Sequence, residues 1–411
     1  MKNWKRWISL LMVAAMVALA GCGNSGNASD VPTEEPSASG DTEESTETAA
    51  ETDAENGDAI YFAVMGPMTG DAAQQGIQQE RGVRLAVDEI NANGGVNGRQ
   101  LVYDVYDDQL NTNQAVICAE KIVAEEKYKF IVTSISTGCS KAAYPTWDDA
   151  DLPVISGINT GNSITEMGFK NYLRVCQKDE ANMQDMLDYM VNDCGVKHPA
   201  FLYSSADVDV TNFDFAKQYL KETYDIDVSD SAEFQAETEK DFTAHITNFK
   251  NNGVDGIYFC CEYNPAALFM KQKASYGWDV PVFGNSGCSN PLLIEVAGAE
   301  NVEGFNVTSA FVQDENDERN QKFVADYTEL AGVAPGEWAA GAYDAIYVMA
   351  TALENEEAYN LNGNELVEWL RSNASYEGIM VKVEGFDENG DNPAASSRIL
   401  TIKDGEFTIA K

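Results

Sequence analysis

The stretch "DEINANGGVNGRQLVYDVYDD", Asp88 to Asp108, decides how this chain is read. Its start completes an amphipathic run whose apolar side is Val83, Leu85, Ala86, Val87 and Ile90, a helical period. Its end, from Arg99 onward, alternates apolar and polar residues as a strand does. Asn93-Gly94-Gly95 and Asn97-Gly98 lie between. Glycine just past a helix takes the left-handed cap, and Asn-Gly forms tight turns. A helix is therefore turned back sharply into a strand.

The same alternation extends in both directions. Ala59 to Met65 ("AIYFAVM") reads as a buried strand and Gly66 to Gly76 ("GPMTGDAAQQG") as a loop, with a helix from Gln78. Downstream, "NQAVICAEKIVAEE" is helical, "KFIVTSI" a strand, "CSKAAYPTWDDA" helical and "LPVIS" a strand. After Asp179 the pattern restarts with "NMQDMLDYMVNDCG", "PAFLYS", "FDFAKQYLKETY", "DFTAHITNFKNNG", "DGIYFCC", "PAALFMKQKASYG" and "PVFGNSG". Strands alternating with helices build parallel sheets. The expected fold is α/β, with two doubly wound parallel-sheet lobes and a ligand cleft at the carboxyl ends of their strands.

The flanking sequence bounds the function. The chain has 411 residues and a formal net charge of −40, which argues against nucleic acid as a partner. Lys2, Lys5 and Arg6 precede an apolar run from Trp7 to Ala20, and "LAGC" follows, ending at Cys22. This reads as an export signal (1–21). The "LAGC" box resembles that of bacterial lipoproteins, which implies cleavage before Cys22 and lipid on its sulfur. Between Gly23 and Asp58 stand eleven acids and no base, with Val31 the only branched aliphatic. Such a segment buries too little apolar surface to fold and is expected to act as an extended tether. Residues 22–58 are therefore assigned to the lipidated cysteine and its spacer.

Seven further cysteines form no CxxC motif, and only His198 and His245 offer imidazole, so no metal site or cofactor is expected. Their odd number leaves at least one unpaired outside the cytosol. No GxSxG, P-loop or GxGxxG follows the first strand, which argues against an enzyme.

Several segments together resemble a known family: "GPMTGDAAQQG", "RGVRLAVDEINANGGVNGRQLVYDVYDDQLNTNQAV", "PVISGINTGNSIT", "YLRVCQKDEAN", "YDAIYVMATALE" and "FDENGD". They are similar to the branched-chain amino-acid (leucine/isoleucine/valine) group of ABC-transporter substrate-binding proteins, of the type I periplasmic-binding-protein fold. The resemblance implies a three-strand hinge between lobes at 59–174 plus 312–373 and at 175–311 plus 374–411. It also implies a monomer that closes over a small ligand and docks on an ABC permease at the outer face of the membrane. A ligand-sensing ectodomain is the alternative, and a lipoprotein hydrolase a weaker one.

The resemblance also nominates a site. Ser136, Thr137, Gly138, Asn159 and Thr160 would meet a carboxylate, a role helix starts suit, although such Ser/Thr clusters are also plain helix caps. Asp179 would meet an ammonium. Glu262 stands where relatives often carry an aromatic, and Ser286 near a place where they carry an acid; Glu262 is either a replacement acid or a solvated strand end. Gln75, Asp207 and Val208 stand where aromatic cover is expected. The pocket reads as more polar than one built for leucine, which points to a polar zwitterion or a small amine.

Overall fold

A computed structural model of the chain describes residues 59–70, 72–314 and 316–410. Strand β1 (Ile60–Gly66) is buried at every position but Tyr61 and leads to helix α1 (Ala73–Ala92). The helix starts earlier than expected, absorbing the end of the Gly66–Gly76 loop. Its C-terminus closes as the sequence suggested. Gly95 N–H donates to Ile90 C=O (2.9 Å) and Gly94 N–H to Asn91 C=O (3.1 Å), the paired bonds of a Schellman cap. Val96 and Arg99 then exchange both backbone hydrogen bonds around Asn97 (φ 51°) and Gly98 (φ 85°), a turn that needs positive φ at both central residues. The Asn91 side chain grips both backbone groups of Leu101 (2.8 and 2.9 Å), so the strand that follows starts in register.

That strand is β2 (Leu101–Asp107). Helix α2 (Thr112–Ala124), β3 (Phe130–Val132), α3 (Thr137–Asp149), β4 (Val154–Ser156) and β5 (Tyr172–Arg174) complete the first sheet. It is parallel throughout, in the order β2-β1-β3-β4-β5.

The second sheet takes its parallel strands from α4 (Asp179–Asp188), β6 (Pro199–Ser204), α5 (Asp207–Tyr224), β7 (Asp230–Phe234), α6 (Thr243–Asn251), β8 (Gly256–Cys260), α7 (Tyr263–Ser275), β9 (Val282–Gly284), α8 (Pro291–Ala297), α9 (Ala299–Val302) and β10 (Asn306–Ser309). The chain then returns to the first sheet as α10 (Glu318–Ala331), α11 (Glu337–Leu353), α12 (Glu356–Asn360), α13 (Gly363–Asn373) and the hairpin of β11 (Ser375–Glu377) and β12 (Lys382–Glu384). It ends in the second sheet with β13 (Arg398–Lys403) and β14 (Glu406–Ile409), both antiparallel, giving the order β14-β13-β10-β9-β8-β6-β7. The second lobe is thus parallel with an antiparallel margin. Strand β7 was not anticipated, because Phe234 is its one buried apolar residue.

Each sheet has its own core. On the first, α1 crosses the buried helix α11 so closely that a Cβ on Gly82 would lie 2.1 Å from the Ala339 carbonyl oxygen. Val83 and Val87 pack there with Ile346 and Met349. The second core gathers Leu202, Ile257, Phe259, Phe269 and Val307. Ala374, Val381, Val383 and Phe386 belong to the first core, so the last passage to the second sheet falls after Phe386 rather than at 374. Asp344 explains this. Fully buried on α11, it accepts the backbone N–H groups of Ile379, Met380 and Val381 (2.9–3.0 Å) and ties the β11–β12 hairpin to the first lobe.

The export signal, Cys22 and the tether fall on residues 1–58, outside the described residues. All seven cysteines beyond Cys22 are free thiols, buried except for Cys194.

Candidate functional site

At the carboxyl ends of β3 and β4 the chain makes two short loops. Ser136 caps α3, its hydroxyl accepting from Cys139 N–H (3.3 Å), so the capping role holds for this residue. Asn159 is fully buried. Its amide donates to Ser140 Oγ (2.8 Å) and Ser134 C=O (3.3 Å), and its Oδ1 accepts from Thr137 Oγ1 (2.6 Å). That side chain is bonded within the protein and holds the two loops together. Gly138 is open, with nothing nearer than 3.7 Å to where its Cβ would stand. Arg174, with no exposure, donates to the carbonyls of Asn159 (3.1 Å) and Gly161 (2.9 Å) and to Asp391 (2.6 Å). The β4 loop is therefore pinned from within, leaving Thr160 at its rim.

Thr160 meets the second lobe. Its carbonyl accepts the backbone N–H of Asp179 (2.9 Å), the first residue of α4. The Asp179 carboxyl is raised by loss of hydration, against the Thr160 hydrogen bond, the Arg174 charge and the Asn212 hydrogen bond, which hold it down. Two more acids stand on the second lobe. Asp209, buried on α5, accepts from Ser204 Oγ and from Cys260 Sγ (3.3 Å); burial, then repulsion by Asp179, raises it to about 6. Glu262 opens α7 and lies against the Ser286–Cys288 turn, its oxygens 3.1 Å from where a Cβ on Gly287 would stand. The walls around Glu262 and then the charges of Asp209 and Asp179 push it up to about 7. One face stays exposed to water, which screens part of that repulsion.

The fourth acid is Glu337, the first residue of α11 and only 6 % exposed. Among the described residues it accepts a long contact from Ala310 N–H to Oε2 (3.4 Å). Burial raises its carboxyl to about 8, with Glu262 and Asp179 adding repulsion. Beside it Trp338 packs with Ile158 and Cys176 into an apolar floor where the chain crosses between the sheets.

The structure thus brings Asp179 and Glu262 together with Thr160, and Ser286 adjoins them through its turn. Gln75 lies half-buried in the first turn of α1. Val208 is 44 % exposed at the start of α5, and the Asp207 side chain lies outside the described part of the structure. Sequence reasoning missed Asp209 and Glu337. Asp209 was within reach, since it follows Val208 directly in "SSADVDVTN".

Two α/β lobes with polar groups at their facing strand ends define a bilobed binding protein. The chain matches the family described as periplasmic binding protein over residues 59–406, and it belongs to that family. It is a substrate-binding protein of the kind that serves transporters, not an enzyme. It is 30% identical over 363 residues to the leucine-, isoleucine-, valine-, threonine- and alanine-binding protein of Pseudomonas aeruginosa, covering 86% of this chain and 89% of that one. A leucine binding protein from Thermotoga maritima shares the fold with a TM-score of 0.76, at 24% identity over 86% of this chain and 98% of that one. So does a solute binding protein of an ABC transporter from Rhodopseudomonas palustris in complex with 3,4-dihydroxybenzoic acid, with a TM-score of 0.74 at 21% identity over 85% and 95%. Ligands that different on one fold mean that ligand identity is a property of the site.

Proposed function

We propose that this protein captures a small amino-bearing ligand, an amino acid or amine, between its lobes and delivers it to the permease of an ABC importer. The observation that carries the reading is the crossing at Thr160, whose carbonyl takes the Asp179 N–H from the other lobe, with the charges of Asp209 and Glu262 near enough to oppose the Asp179 charge. An ammonium between carboxylates makes charge-assisted hydrogen bonds, the stronger kind. The carboxylate of an amino acid would bind at the rim formed by Thr137, Gly138 and Thr160. A ligand touching both lobes stabilises their closed arrangement, and that preference is what shifts the equilibrium.

With an acid at 262 and no aromatic at 75 or 208, the reading favours a polar zwitterion or small amine over leucine. The protein would work as a monomer, held at the outer face of the membrane by lipid on Cys22. Calorimetry of the full-length chain against amino acids and small amines tests the ligand class. Saturable binding by an amino-bearing compound is expected, and binding confined to ligands without an amino group would end the proposal. For the anchor, Cys22→Ser should move the protein out of the membrane fraction; unchanged fractionation would refute it.

A further inference from the structure

The first lobe carries a recess apart from the cleft residues. It lies beside β5, has a volume of about 350 Å³, and its lining includes Thr165, Phe169, Lys170, Glu368, Arg371 and Asn389. That volume falls within the range of small-ligand pockets, about 300–1,000 Å³. Three stretches of chain build it. The segment before β5 supplies Thr165, Phe169 and Lys170, the end of α13 supplies Glu368 and Arg371, and the passage after Phe386 supplies Glu388 and Asn389.

Arg371 is the informative residue. Its side chain is only 12 % exposed. Nη1 donates to Glu368 Oε1 (2.5 Å) and Nη2 to the Lys170 carbonyl (3.0 Å). Nε is buried and has no hydrogen-bond partner. A planar guanidinium held by two of its nitrogens cannot turn to satisfy the third. One N–H of a charged group is thus fixed without an acceptor, a costlier state than for a neutral donor.

Two more donors share the recess. The Lys170 ammonium is exposed and makes no ion pair or hydrogen bond among the described residues. The Asn389 carboxamide is exposed as well. Of the two acids in the lining, Glu368 is committed to Arg371, and Glu388 is exposed to water, which screens it. The Thr165 hydroxyl is engaged with the Asn162 carbonyl (3.2 Å) and with Arg174 (3.2 Å). Phe169 stacks on Tyr144, 3.9 Å between ring centroids, and gives the recess an apolar wall.

We propose that this recess binds a small organic acid, its carboxylate taken by Arg371 Nε–H and the Lys170 ammonium and its apolar body lying on Phe169. A carboxylate brings one oxygen for each donor, and both bonds are charge-assisted. An amine would bring donors to donors. A bare inorganic anion would answer the donors but leave the ring against water. The site is separate from the amino-ligand cleft and does not rest on that reading.

The Nε–H nuclear magnetic resonance signal of Arg371 in the full-length chain tests this, with Arg371→Lys, which lacks that group, identifying the signal. The probes are hexanoate, inorganic phosphate and hexylamine. Hexanoate should move the signal saturably, phosphate should bind at least fivefold more weakly, and hexylamine should leave the signal in place. Lys170→Gln, at an exposed position, should weaken hexanoate about threefold, the scale of one exposed ion pair. Asp179→Ala should change hexanoate binding less than twofold. Calorimetry with the same probes makes these comparisons where Arg371→Lys does not fold. No saturable binding of hexanoate means that water alone answers Nε, and the proposal falls. It falls equally if Lys170→Gln has no effect, or if Asp179→Ala abolishes binding and so places the acid in the cleft. Phosphate binding as tightly as hexanoate would overturn the organic-acid class. None of these outcomes bears on the amino-ligand reading.

Discussion

Glu337 and Asp344 stand seven residues apart on α11, about two helical turns, so both point to one side of the same helix. Both are buried acids, and burial raises both carboxyls, Asp344 to about 6 and Glu337 to about 8. Their surroundings differ. Asp344 faces three backbone N–H groups of the 379–381 turn at 2.9–3.0 Å, and Tyr376 adds a longer bond. Glu337 faces one N–H at 3.4 Å and the charges of two other acids. An acid answered by its own backbone is part of the architecture. Glu337 has only the long bond from Ala310 to set against that repulsion.

The largest effect expected from breaking this contrast is at Asp344. Asp344→Ala strands three buried N–H groups and should cost about 3–5 kcal/mol of folding stability, the scale of a broken buried polar network. Urea unfolding of Asp344→Ala beside Glu337→Gln measures it. Measured above pH 8, where Glu337 is ionised, the Gln variant should match or exceed the native ligand-free protein, because it removes a repelled charge. Equal losses in the two would show that both acids are structural.

Next comes the ligand. Removing one partner of a desolvated pair typically costs about 2–5 kcal/mol. Asp179→Ala should therefore weaken the best ligand by roughly thirtyfold or more, read by calorimetry; a loss under threefold would remove Asp179 from the site.

The pH dependence is smaller and has a definite sign. Acids whose carboxyls are raised in the native state hold protons there that the unfolded chain has released, so stability falls as pH rises. For Asp209, Asp344, Glu262 and Glu337 the window opens near the ordinary carboxylate range, about 4, and closes at about 8. The melting temperature of the ligand-free protein should drop across that interval. A cationic ligand prefers the ionised acids, so its affinity should rise between pH 6 and 8 with release of protons. A flat melting curve together with pH-independent binding would contradict this.

The smallest effect is a control far from both acids. Gly98→Ala, at φ +85°, should cost about 1 kcal/mol of stability and leave binding unchanged. A changed affinity would tie the α1–β2 turn to the site.

The layered α/β alternation was legible because buried strands read as short apolar runs and the turns carried their glycines. Strand β7 was not, since an edge strand with one buried apolar residue has no such run. At the candidate site, the resemblance nominates Asp179, while Glu262 stands out as a departure from it. It marks neither Asp209 nor Glu337. Acids at the start of a helix are ordinary, favoured by the helix dipole whether or not anything else is near. Only the packing of α5 and α11 distinguishes a solvated acid from one facing a cleft. The sequence could not tell that the Asn159 side chain is buried beneath its loop and bonds Thr137, Ser134 and Ser140 there.

That buried bonding bears on how the protein changes over generations. Asn159 and Arg174 hold the β4 loop from beneath, through backbone carbonyls and a buried partner in Asp391. The loop's shape therefore does not depend on the side chains it displays at its rim. Substitutions at positions such as Thr160 or Gly138 are expected to leave the scaffold beneath them unaltered. Selection is thereby free to vary what the rim displays while the fold beneath it stays the same.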